Sequence, residues 1–135
     1  MSDVRIGRSA AAVLAGFAVV AGLSLATDQL LHLARVYPPW GEPMPDPGLN
    51  ALALAYRSAY TVAGMYLTAS LAPSRPARHA LIGGAIGTVV AAAGAVVAIP
   101  LDLGPACYPI ALAISALPLA WLGGALHRLR HEHVR

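Results

Sequence analysis

The chain has 135 residues, of which 58% are hydrophobic and only 11% charged, with a formal net charge of +3 and a mean hydropathy of +0.65. An ordinary soluble domain is about 45–50% apolar and about 25% charged, so the composition argues against a water-soluble or disordered protein and its length for a single domain, residues 1–135. One cysteine, Cys107, excludes an intramolecular disulfide, a cluster held by several thiolates and any Cys-x-x-Cys site, and the nine basic residues are all arginines spread between apolar blocks, so nucleic acid is not an expected partner.

Spanning a hydrocarbon core takes about 20 mostly apolar residues in a helix, which satisfies its own backbone groups in lipid. Four stretches meet that requirement, at about 9–31, 49–71, 79–101 and 106–126. The predicted fold is therefore all-α, an integral-membrane four-helix bundle. Helix breakers close each of the first three runs: the series Pro38 to Gly48, then Pro73 and Pro76, then Gly104 and Pro105. The first run also has the outline of a secretory signal, with Ser24-Leu25-Ala26 as a small-residue cleavage site, but the expected form is an uncleaved anchor.

The second stretch is the least apolar, since it carries Arg57, two threonines and two serines. Arginine placement predicts that it crosses. With four spans and the N-terminus inside, Arg5, Arg8, Arg75, Arg78, Arg128, Arg130 and Arg135 all fall on the cytoplasmic side, leaving Arg35 outside. If the second stretch failed to cross, Arg75, Arg78 and the C-terminal arginines would move outside together. Both termini are accordingly expected in the cytoplasm.

The connection from His32 to Gly48 is rich in proline and reads as an interfacial lid, with Tyr37, Pro38, Pro39 and Trp40 at headgroup level. Tyr56 and Tyr108 are expected in the outer aromatic belt, and Tyr66 and Trp121 in the inner one. On the third helix Gly83, Gly87, Ala91, Gly94 and Ala98 form a small-residue stripe expected to pack. Pro118 should kink the fourth helix near Ser115, whose hydroxyl could satisfy the freed carbonyl of Ile114. Cys107 reads as a small buried residue or as a partner in an intermolecular disulfide.

Two ionisable residues lie within spans, Asp28 in the first and Arg57 in the second. A lone charge at the bilayer centre costs about 2.5–3.5 kcal/mol or more, so each needs a partner or water. From the outer ends of their helices they lie about 6 and 12 Å deep at 1.5 Å per residue. Side chains lean toward the N-terminus of their own helix, which closes that gap and predicts a pair. Arg57, Thr61, Gly64 and Thr68 share one helical face. Depth groups Asp28, His32, Arg57, Tyr60, Asp102 and Tyr108 as a candidate outer polar pocket. Arg57 could hold an anionic headgroup or carboxylate there, and Asp28 could carry a proton.

No cofactor or metal is expected. His32 and His79 fall at opposite ends, and His127, His131 and His133 read more simply as part of a basic tail that meets anionic lipid. The nucleophile elbow, phosphate loop and dinucleotide fingerprint are all missing.

The segments PPWG (Pro38 to Gly41), AYRSAY (Ala55 to Tyr60), LAPSRPARHAL (Leu71 to Leu81), GPACYP (Gly104 to Pro109) and LPLAWLGG (Leu117 to Gly124) resemble small, uncharacterised four-span bacterial membrane proteins. The resemblance implies a multi-pass inner-membrane protein and no particular activity. The expected function is non-enzymatic: the outer pocket takes a small solute, a lipid or a partner helix, and the chain can form homo-oligomers. One alternative is a small oligomeric transporter, proton-coupled through Asp28. It differs from the small multidrug exporters, which also carry an acid in the first of four spans, because Arg57 would neutralise that acid. A second alternative is an enzyme acting on a lipid, which would lack an evident nucleophile and base.

Overall fold

The computed structural model describes residues 2–134, so Arg135, counted above with the cytoplasmic arginines, lies outside them. It is all-helical, with α1 at Ser2–Leu33, α2 at Pro47–Leu71, α3 at Pro76–Ala98 continued by a 3-10 turn over Ile99–Leu101, and α4 at Cys107–His133. Three of these, α1, α3 with its 3-10 turn, and α4, are long and apolar enough to cross a membrane. The α2 helix has the length, at 25 residues, but less apolar character.

Local chemistry sets the ends. Asp46 caps α2, its Oδ1 accepting from the N–H of Gly48 at 2.7 Å and of Leu49 at 3.3 Å, and Pro47 occupies the first turn, where no N–H is missed. Ala72 is extended ahead of Pro73, which stops α2. Pro100 has no N–H to continue the α3 ladder, and the helix tightens into the 3-10 turn before Asp102 reverses the chain at φ 49°.

The packing inverts that of a soluble protein. Leu14, Val89, Val96 and Ile114 are each 66–74% exposed, whereas the buried apolar set is mainly alanine with Met65 and Tyr37. In hydrocarbon, apolar side chains gain little by leaving one another's surface, so helices associate where small residues let backbones approach. A Cβ on Gly16 of α1 would stand 2.6 Å from the Gly64 carbonyl oxygen of α2, and one on Gly64 would stand 2.7 Å from that of Gly16. Beside this crossing Thr68 donates to the Ala12 carbonyl at 3.0 Å. Gly123 of α4 sits equally close to the Val62 carbonyl of α2. The α2 helix packs on all three others, which is why it tolerates the polar residues that the rest exclude.

Several expectations need correcting. The α3–α4 crossing uses Ala77, Ala80 and Gly84 against Ala120 and Gly124. From the expected stripe, Gly83 meets Met65 and Gly87 lies near Phe17, whereas Gly94 meets nothing within 4 Å. The Ser115 hydroxyl in α4 donates to Leu112 O at 3.3 Å, not to the Ile114 carbonyl. Cys107 is exposed.

Gly16→Ala or Gly64→Ala should therefore lower stability by about 1–3 kcal/mol through overpacking. Gly22→Ala, with open space around it, should cost nothing. Reversible denaturation in mixed micelles measures all three, and equal losses would contradict the assigned crossing.

Candidate functional site

Asp28 projects from the penultimate turn of α1 and is buried, and both of its oxygens are engaged. Oδ1 accepts a hydrogen bond from the Tyr56 hydroxyl, and Oδ2 accepts one from Nη2 of Arg57, which also forms an ion pair with it. Tyr56 spends its only proton on Asp28, so the 2.9 Å contact between the Tyr56 and Tyr37 hydroxyls has Tyr37 as donor. Burial raises the Tyr37 phenol above its ordinary range, which keeps its proton in place for that role. The result is a chain from Tyr37 through Tyr56 to Asp28, closed on the other oxygen by Arg57. Tyr37 is 5% exposed, its ring turned into the protein, and the Tyr56 hydroxyl is bound to the carboxylate.

The connection between α1 and α2 covers this pair. His32 donates from Nδ1 to the Pro38 carbonyl at 2.6 Å, its ring lies 4.0 Å from that of Trp40, and Trp40 donates from Nε1 to Gln29 at 3.0 Å. Beyond the turn, the Met44 N–H donates to Leu103 O at 2.6 Å, which ties this connection to the one between α3 and α4. Buried Asn50 holds the same segment from below, its Nδ2 donating to the Met44 and Asp46 carbonyls, each at 2.8 Å. Gly104 permits the approach, because a Cβ there would lie 2.9 Å from the Met44 carbonyl oxygen.

Beneath this cover is a cavity of about 470 Å³. Asp28, His32, Arg57 and Tyr108 line it, but Tyr60 and Asp102 do not. Tyr60 faces α1, where it donates to Thr27 Oγ1 at 2.7 Å, the Thr27 proton being committed to the Leu23 carbonyl. Asp102 is exposed and closes the 3-10 turn. The apolar wall comes from Ala91, Gly94, Ala95 and Ala98, so the upper part of the small-residue stripe leaves room instead of making contact.

A second cavity of about 440 Å³ lies deeper, lined by Phe17, Ser24, Thr61, Met65 and Ser115 among others. Arg57 lines both cavities. Arg57 Nε and the hydroxyl of buried Ser24 are the buried side-chain polar atoms without a hydrogen-bond partner among the described residues. Met65, 2% exposed, packs with Ala69, Ala80 and Ala120. No group of three His, Cys, Asp or Glu side chains converges as a metal set among the described residues.

No family model, curated protein or solved structure matches the chain. What the site can do follows from its own groups. A cavity of this volume suits a small molecule, its wall is mainly apolar, and its polar end is a carboxylate and a guanidinium that cancel. Tyr56 and Tyr37 were the residues hidden from the sequence. The usable signal was that Tyr56 adjoins Arg57 at the depth of Asp28, where a carboxylate with two oxygens needs a second donor.

Removing one member of the pair leaves the other charge stranded. Asp28→Asn and Arg57→Gln should each lower stability by about 2–3 kcal/mol, and the double variant by less than their sum. Tyr56→Phe should cost about 1–2 kcal/mol. Denaturation of all four variants in mixed micelles checks this, and strictly additive losses would mean the pair does not couple.

Proposed function

We propose that the chain crosses a bacterial inner membrane four times, α2 included, with both termini cytoplasmic, and that the covered cavity holds a small amphiphile without altering it. The observation that carries this reading is the ion pair at the head of an apolar-walled cavity. Asp28 and Arg57 are neutral as a unit, so an occupant gains hydrogen bonds there without bringing unmatched charge into low dielectric. A molecule with an uncharged polar head and a short apolar body fits that environment best. Tyr108 lines the cavity and offers a hydrogen bond to such a head. Supporting the four-span topology is the arginine distribution, seven on one side against one on the other.

The deeper cavity favours one second reading, a transporter in which Arg57 swings and cargo passes inward. Against it stands buried Met65, which lines the deeper cavity and packs with Ala69, Ala80 and Ala120. The two readings make different demands. Binding needs only the outer cavity, whereas transport needs Met65 to move.

Native mass spectrometry of the gently extracted protein should find one small adduct per chain. Ala98→Phe, which fills the cavity without touching the ion pair, should remove it. A bare wild-type chain, or an adduct that survives Ala98→Phe, would overturn the binding reading. Topology is tested separately in a Cys107→Ser background. Ser2→Cys, Ser74→Cys and His133→Cys should be labelled from the cytoplasmic face and Glu42→Cys from the opposite one, and chain ends on opposite faces would remove the four-span arrangement.

A further inference from the structure

The end of the bundle opposite the proline-rich cover gathers arginines that the sequence keeps apart. Arg5 near the start of α1 and Arg75 and Arg78 at the start of α3 line one cavity of about 430 Å³ together with Ser9, Ser74 and His79. None of the three arginines has a carboxylate within ion-pair distance, because the Asp28–Arg57 pair is the only salt bridge among the described residues. Three uncompensated guanidinium groups around one cavity make a strong attractor for a compact anion.

The backbone and neighbouring side chains adjust to this gathering. Arg75 adopts a left-handed conformation, φ 45° and ψ 62°, which a residue with a Cβ rarely takes. Its carbonyl then accepts from the N–H groups of Arg78 at 3.1 Å and His79 at 3.3 Å, and from His79 Nδ1 at 3.2 Å. With Nδ1 donating, His79 reaches Ser9 of α1 through Nε2 at 2.8 Å. That bond fixes the α1 wall of the cavity against the α3 wall. Helix α3 has no side-chain cap, so the positive end of its backbone dipole faces the same region. Ile82, one turn further along α3, makes the lower wall apolar.

We propose that this cavity binds a phosphate group, held by Arg5, Arg75 and Arg78 with the Ser74 hydroxyl as an additional donor. A guanidinium matches phosphate oxygens in pairs, and a hydroxyl can donate one further bond to them. The apolar lower wall and the position at the end of apolar helices fit the headgroup phosphate of an anionic phospholipid, and a free phosphate ion presents the same chemistry. Only the choice between these sources rests on the membrane reading above.

The full-length chain in neutral detergent, titrated with phosphatidylglycerol and followed by native mass spectrometry, tests the site. One lipid should bind with saturable occupancy. Arg75→Gln combined with Arg78→Gln should weaken it by at least about tenfold. Arg8→Gln combined with Arg128→Gln removes the same charge from residues that do not line the cavity, and should weaken binding by less than about threefold. Equal losses in the two double variants would reduce the effect to net charge and overturn the proposal. So would an absence of binding by both phosphatidylglycerol and inorganic phosphate. Competition by millimolar inorganic phosphate identifies the bare anion as sufficient, whereas lipid binding that phosphate does not displace assigns the diester headgroup. Because the assay does not involve the outer cavity, Ala98→Phe should leave it unchanged, and failure here leaves the outer-cavity reading to its own test.

Discussion

Neutralisation of Arg57 by Asp28 is the constraint around which the helices are arranged. A guanidinium on a helix of moderate hydropathy is tolerable only where another helix supplies a carboxylate at the same depth and the remaining helices screen both. That places α2 between the other three and leaves the large apolar side chains of α1, α3 and α4 outward. It also explains why the α1–α2 seam is built of Gly16, Gly64 and Thr68. Close backbone approach brings the two helices near enough for Asp28 to accept directly from Arg57, without a bridging water. The seam and the ion pair are one device, because loosening the glycine crossing would lengthen the pair and expose a charge.

The tyrosines extend the same logic toward the covered end. One guanidinium arm saturates one carboxylate oxygen, and the other oxygen would be orphaned without Tyr56. Tyr56 in turn needs something to donate to its own oxygen, and Tyr37 does so from the connection between α1 and α2. Thus the lid is bonded to the ion pair through two phenols rather than merely lying across the bundle. A buried hydrogen-bonded chain of this kind fixes the position of a loop whose prolines deny it a regular ladder.

Much of this was legible in the residues, and the gaps have physical causes. The Asp28–Arg57 pair could be foreseen because depth and side-chain lean are both set by helix geometry. Depth alone, however, carries no angular information. Tyr60 shares the depth of the cavity but points at Thr27, and Asp102 shares its end of the molecule but is consumed in reversing the chain. The bond from Tyr56 to Asp28 was missed because an aromatic hydroxyl near a helix end also satisfies the rule for interfacial belts. The α3 stripe packs at Gly83 and Gly87 but not at Gly94, for a related reason. Small residues at helical spacing mark a face where a backbone can approach, and whether a neighbour fills that space or leaves it empty depends on the crossing angle. Ala77, Ala80 and Gly84 meet α4, while Gly94 borders the cavity.

The cover over the cavity is fastened at a few points. The connection between α1 and α2 is held by the His32–Pro38 bond, the Trp40–Gln29 bond, the Asn50 clamp and the single backbone bond from Met44 to Leu103. Only the last of these joins the cover to the α3–α4 half of the bundle. Losing the Met44–Leu103 bond would therefore part the cover from that half while leaving Tyr37 on Tyr56 and the ion pair intact. The neutral pair at the head of the cavity therefore does not depend on the one bond that joins the cover to the α3–α4 half.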